Sequence, residues 1–275
     1  MRLSLQRDGT VRRTSMSRLA TLALDPRQLH ARYQPIVDCQ DPLTPIVTLE
    51  CLIRGPQNTN LFDPQVLFEY ARRKHFEHTL DLLSYRCFLG ELSWLCDVPF
   101  SINLHATTLS HDREVVQQIL DPLHESGIAP ERLNIELIES VPEINVNLLV
   151  QNLNDLRAAG VKLAVDDFGV AYANLHLLGL VQPEIVKIDR SLLPVNGSDR
   201  KATACFLAAV RSARTLGARI VAEGVETRSQ FEFVRSLGVT YAQGYFFHKP
   251  LEFRELEDRI HSTGPAGTSN RHLAS

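Results

Sequence analysis

No stretch of this chain reaches the ~18 consecutive apolar residues of a membrane-spanning helix, and its N-terminus lacks the apolar centre of a secretion signal. A soluble, cytoplasmic protein with no membrane segment is therefore expected. An excess of one charge is also missing: 29 Lys and Arg stand against 32 Asp and Glu, for a formal net charge of −3. With acids and bases interspersed there is no general basic footprint for DNA or RNA. The five cysteines, Cys39, Cys51, Cys87, Cys96 and Cys205, are odd in number and show no CxxC or Cys/His spacing. They read as reduced thiols buried as small hydrophobes rather than as metal ligands.

What the chain does contain is a repeated pattern. Seven short apolar runs end in a residue able to grip a cation or move a proton: Glu50, Asn103, Glu136, Asp166, Lys187, Glu223 and Gln243. Around most of them the period is two. Val47, Leu49 and Cys51 alternate with Thr48 and Glu50, and Phe100, Ile102 and Leu104 alternate with Ser101 and Asn103. Leu133, Ile135 and Leu137 likewise alternate with Asn134 and Glu136, and Val161, Leu163 and Val165 with Lys162, Ala164 and Asp166. Such strands bury one apolar face and aim their polar partners the other way.

Amphipathic stretches separate these runs. Val146, Leu149, Val150, Leu153 and Leu156 follow helical spacing up to Gly160, and Gly127, Gly217 and Gly238 close similar stretches. Strands are predicted near Tyr33–Val37, Val47–Leu52, Phe100–Leu104, Leu133–Ile138, Leu163–Asp167, Ile185–Ile188, Arg219–Ala222 and Tyr241–Phe247. Eight strands alternating with helices in 275 residues suit one TIM-type (β/α)8 barrel, whose site lies where strands end. The link from Asp38 to Pro45 is too short for a parallel crossover, so one strand should run antiparallel in a modified barrel. Residues 1–26, with Arg2, Arg7, Arg12, Arg13 and Arg18, read as a basic arm; 27–262 as the barrel; 263–275 as a small polar tail.

If the strands close into a ring, Glu50, Glu136, Asp166, Asp167 and Glu223 gather at one mouth, with Glu139, Asp189 and Glu226 close behind. Two unit charges ~4 Å apart repel by about 4 kcal/mol at an effective dielectric near 20, so such a bowl calls for cations. The donors are oxygens, which favours magnesium, manganese or calcium over zinc. Asp166-Asp167 is the natural bridge between two metals, the usual clamp for displacement at phosphorus. Lys187 either neutralises the bowl or orients the attacking water. His75 and His78 read as part of a solvated face. His105 shares the parity of Asn103, and a core or rim position is favoured over ligation.

With these residues in order, the chain resembles the EAL-domain family, bacterial phosphodiesterases that linearise the second messenger cyclic di-GMP to pGpG. The likeness runs from about Arg32 to Ile260 and rests on Tyr33-Gln-Pro-Ile-Val37, Glu50-Cys-Leu-Ile-Arg54, Asn103-Leu104, Glu136-Leu-Ile-Glu139, Asp166-Asp-Phe-Gly169, Lys187-Ile-Asp189, Ala222-Glu-Gly-Val-Glu-Thr227 and Gln243-Gly-Tyr245. The resemblance implies two Mg²⁺ or Mn²⁺ ions, the first held by Glu50, Asn103, Glu136 and Asp166, the second by Asp166, Asp167 and Glu223. It makes Lys187 and Glu223 the catalytic pair around a metal-activated water. It assigns Gln34, Arg54, Asp189 and Gln243 to the substrate, gives Glu139 the task of bracing the loop after Asp167, and implies a homodimer.

The chain departs from the family at Cys51 within the signature triplet, at Ile138 between the two glutamates, at Arg54-Gly-Pro56, and at Val170 and Ala171, which replace Thr-Gly. A stand-alone cyclic di-GMP phosphodiesterase is the expected function, because every matched ligand position is filled. The alternative is a weak or inactive cyclic di-GMP receptor that acts through a protein partner.

Overall fold

The alternating runs become strands, and the strands close. The computed structural model describes residues 18–41, 43, 45–95, 97–138, 144–169, 174–194 and 199–263. In chain order the strands are β1 (His30–Asp38), β2 (Ile46–Arg54), β3 (Phe100–His105), β4 (Leu133–Ile138), β5 (Lys162–Phe168), β6 (Ile185–Ile188), β7 (Arg219–Ala222) and β8 (Tyr241–Ala242). They form one closed barrel in sequential order. β1 pairs antiparallel with both β2 and β8. The antiparallel β1–β2 pair is what the short Asp38–Pro45 link demands, and the other neighbours are parallel.

Parity divides the side chains between two environments. Leu49, Cys51, Ile102, Leu104, Ile135, Leu137, Leu163, Val165, Val186 and Ile188 are buried in the main core, together with helix residues such as Leu80, Phe88, Ile119, Leu153 and Phe206. Full burial of one such aliphatic side chain contributes about 1.5–3 kcal/mol. The opposite parity fills the barrel interior, which is split by chemistry. On one side Asn134 Nδ2 donates to Thr48 Oγ1 (3.3 Å) and Ser101 Oγ (3.4 Å). On the other, Ile36, Ala164, Ile185 and Val221 form a separate apolar cluster. This layer is the floor beneath the acidic residues one step further along each strand.

Some sequence expectations change. The helix Val146–Ala158 buries Leu149, Leu153 and Leu156, but Val146 in its first turn is exposed. The helix Arg18–Ala23 falls within the stretch expected to be a basic arm, yet its Ala20 and Ala23 are buried in the core. Among the described residues, packing already includes this helix. β8 stops at Ala242 rather than at Phe247. Gly244 is the cause: a Cβ there would collide with the Val225 backbone, and the chain turns, with Phe247 and His248 N–H both donating to Gly244 O. The aromatic run that looks like strand becomes a packed turn, in which Phe246 and Phe247 contact Phe231. Cys39 and Cys51 are buried, whereas Cys205 is exposed. No helix among the described residues is long and apolar enough to cross a membrane.

Candidate active site

Each parallel strand delivers one polar residue to the same end of the barrel. Asn103 on β3 and Glu136 on β4 are register partners, as are Gln34 on β1 and Glu50 on β2. Asp166 comes from β5 and Lys187 from β6. Glu223 and Gln243 lie one residue past β7 and β8, and their backbones stay anchored: Glu223 N–H donates to Ile188 O (3.1 Å) and Gln243 N–H to Ala222 O (2.9 Å).

β5 needs a special device to present two consecutive carboxylates, because neighbouring residues on a strand point to opposite faces. The register between β5 and β6 shifts between Val165 and Phe168, and Asp167 adopts φ = 50°, the left-handed region that aspartate tolerates better than most residues. The alternation is broken there. As a result oxygens of Glu50, Glu136 and Asp166 lie within 4.8 Å of one another, and so do oxygens of Asp166, Asp167 and Glu223. Asp166 belongs to both groups.

Lys187, only 1% exposed, stands at the centre. Its Nζ donates to Glu136 Oε2 at 2.7 Å. It lies 2.8 Å from Glu223 Oε1, 3.1 Å from Asp166 Oδ1 and 3.3 Å from Glu50 Oε2. Glu50 also accepts from Asn103 Nδ2 at 3.2 Å and from Gln243 Nε2 at 2.6 Å. Burial alone would lower the Lys187 pKa, but the four surrounding carboxylates outweigh it and hold the ammonium well above the usual lysine range. For Glu50, burial is outweighed by Lys187 and the two amide donors, and its pKa falls. Burial, with Glu50 and Asp166 adding to it against Lys187, pushes Glu136 up to about 8. Burial and the charges of Asp166 and Asp189 push Asp167 up to about 6. Glu223 rises well above the ordinary carboxylate range, chiefly through burial.

One ammonium among five carboxylates leaves acceptors over. Asn103 Oδ1, Asp166 Oδ1 and Gln243 Oε1 are buried without a hydrogen-bond partner. Asp166 Oδ1 is close to Lys187 but not in hydrogen-bonding geometry. Buried acceptors of this kind normally find a donor. Orphaned oxygens, an all-oxygen donor set and two triads sharing Asp166 fit a pair of hard divalent cations.

Above this floor opens a cavity of about 220 Å³, lined in part by Gln34, Glu50, Asp189, Glu223, Glu226 and Gln243. Gln34 Nε2 donates to His248 O (3.2 Å), and Asp189 accepts from Ser191 N–H (2.8 Å). Arg54 is half-buried at the end of β2, its Nη1 donating to Ile53 O at 3.0 Å. Glu139, Val170 and Ala171 lie outside the described residues. Sequence reasoning missed Arg190, Gly224 and Tyr245, which also line the cavity. Their signal was position: each follows within two residues of Asp189, Glu223 or Gln243.

His105 lies apart from the bowl. Its Nδ1 is 3.0 Å from Asp81 Oδ1 and its Nε2 is 3.6 Å from Glu77 Oε1, so it belongs to a buried network between β3 and the helix Glu77–Leu92. His78 is half-buried, stacked on His111 with ring centroids 4.3 Å apart, rather than fully solvated.

A family model described as the EAL domain matches residues 18–250. The bifunctional diguanylate cyclase/cyclic di-GMP phosphodiesterase MucR of Pseudomonas aeruginosa is 31% identical over 241 residues, which is 85% of this chain. The chain spans 35% of that protein's length. The solved PaMucR phosphodiesterase, in its c-di-GMP complex, superposes with a TM-score of 0.73 at 29% identity, covering 84% of this chain and 100% of that one. The calcium/cy-diGMP complex of Klebsiella pneumoniae BlrP1 gives a TM-score of 0.72 at 30% identity, covering 82% of this chain and 57% of that one. With the family model spanning the whole barrel and the acidic bowl in place at its mouth, this chain belongs to the EAL domain family.

Proposed function

We propose that the chain hydrolyses cyclic di-GMP to linear pGpG with two divalent cations, Mg²⁺ or Mn²⁺. The observation that carries this reading is the pair of oxygen triads sharing Asp166 beneath the cavity. Support also comes from the named activity of MucR and from the calcium in the BlrP1 complex. Glu50, Asn103, Glu136 and Asp166 would hold one ion, and Asp166, Asp167 and Glu223 the other. When bound, the ions neutralise phosphate charge and make water a stronger nucleophile.

The chain's own residues supply the rest. Lys187 stays protonated, so it positions the attacking water as a donor and does not remove its proton. Glu223 Oε1, 2.8 Å from Lys187 Nζ, is within reach of a water held there; with the cations bound its carboxyl would be ionised, and it would accept the proton. Water oxygen bonds to one phosphorus as the bond from that phosphorus to the ribose 3′-oxygen breaks, and the leaving oxygen ends protonated. Gln34, Arg54, Asp189 and Gln243 bind and orient the dinucleotide.

Incubation of purified protein with Mn²⁺ and cyclic di-GMP, followed by chromatography, should yield pGpG, and chelation with EDTA should abolish it. Tight binding of the dinucleotide with no product beyond the EDTA control would replace hydrolysis with a receptor role.

A further inference from the structure

Cyclic di-GMP carries two phosphodiesters, and the paired cations can neutralise only the one being cleaved. The other must enter a cavity whose walls include Glu50, Asp189, Glu223 and Glu226. Among the described residues lining that cavity, the one cationic side chain is Arg190. Three features make it a built contact and not a stray surface charge. Asp189 accepts from Ser191 N–H at 2.8 Å and Arg190 O accepts from Leu193 N–H at 3.0 Å, so the backbone turn beneath it is fixed at both ends. Its aliphatic stem lies over Gly224, where φ is 63° and a Cβ would collide with Arg190 Cβ. Its guanidinium has no hydrogen-bond or ion-pair partner among the described residues. A guanidinium offers planar paired donors suited to phosphate oxygens.

We propose that Arg190 binds the non-scissile phosphate of the cyclic dinucleotide and so selects a ligand with two phosphates over one with a single phosphate. Gly224 is the berth for its stem. This rests on the hydrolase reading for the ligand's identity, but not on turnover. Arg190 leaves β6 four strands around the ring from β2, which carries Arg54. The two arginines thus leave the ring from opposite strands.

Calorimetric titration of cyclic di-GMP in saturating Ca²⁺ reads binding regardless of catalysis. Arg190→Gln should raise Kd about tenfold, the loss expected for one charge-assisted hydrogen-bonded contact, and Arg190→Lys should fall between. The ratio of kcat/KM for cyclic di-GMP to that for bis(p-nitrophenyl) phosphate, a single diester, should fall by a similar factor. Ca²⁺ binding without nucleotide should tighten in Arg190→Gln, because a cation beside carboxylates has been removed; lost metal then cannot account for weaker nucleotide binding. A wild-type Kd in Arg190→Gln would overturn the assignment. Wild-type protein that binds cyclic di-GMP but releases no pGpG would sink only the hydrolase reading, and wild-type protein that does not bind it would sink both.

Discussion

Two sets of carboxylates lie near the end of β3, a fully buried one around His105 and a partly open one around Asn103, and they are balanced in opposite ways. Behind the strand, Glu77 accepts from Arg72 Nε (2.9 Å) and Thr107 Oγ1 (2.8 Å). Asp81 is met by His105 Nδ1 (3.0 Å), His105 N–H (3.2 Å) and Thr108 Oγ1 (2.5 Å). Every carboxylate oxygen there has a partner. At the mouth, one ammonium is shared by four of five carboxylates, and buried oxygens of Asn103, Asp166 and Gln243 accept no hydrogen bond. Two carboxylate clusters on one strand end thus serve different purposes. The satisfied network holds the strand to its helix, and the unsatisfied one waits for a ligand of its own chemistry.

The largest effect that tests this contrast is on turnover. Asp166→Ala removes the carboxylate shared by both triads and should lower the rate of pGpG formation by more than about a hundredfold, beyond the loss typical of groups that only support a metal ligand. Near-wild-type kinetics would remove Asp166 from the centre. Stability separates the two sets next. Asp81→Ala strands a buried imidazole and should cost about 3–5 kcal/mol in urea unfolding. Metal-free Glu136→Gln, which relieves repulsion in the bowl while keeping an acceptor for Lys187, should shift stability by less than about 1 kcal/mol or raise it. Similar losses for both variants would erase the distinction.

The smallest effect is on pH dependence. Asp167 and Glu136, pushed up to about 6 and about 8, hold protons that a divalent cation must displace. Cation affinity should therefore rise with pH across that window, by at most about tenfold per unit for each proton released. Titration of Mn²⁺ at several pH values would show this, and a flat profile would mean the carboxylates are already ionised.

The bowl was legible in the sequence because its cause is local. Alternation fixes which face Glu50, Asn103, Glu136 and Asp166 take, and strand ends fix their height. Asp167 was legible as a bridge only through chemistry, since its left-handed backbone belongs to a register shift between strands. His105 shows where alternation runs out. It shares the parity of Asn103, but Glu77 and Asp81 reach it from a helix more than twenty residues earlier in the chain, and no periodicity announces such a meeting. The overlong β8 failed for a related reason. An apolar run from Tyr241 to Phe247 has strand composition, and only the approach of Val225 to Gly244 ends it.

The position of Lys187 also bears on how the barrel can be assembled. Its ammonium is an internal counter-charge that draws Glu50, Glu136, Asp166 and Glu223 toward one point. On the two-cation reading, loading would be a change of counter-ion inside a scaffold that Lys187 already holds together, and the supply of divalent ions would set activity without refolding the chain.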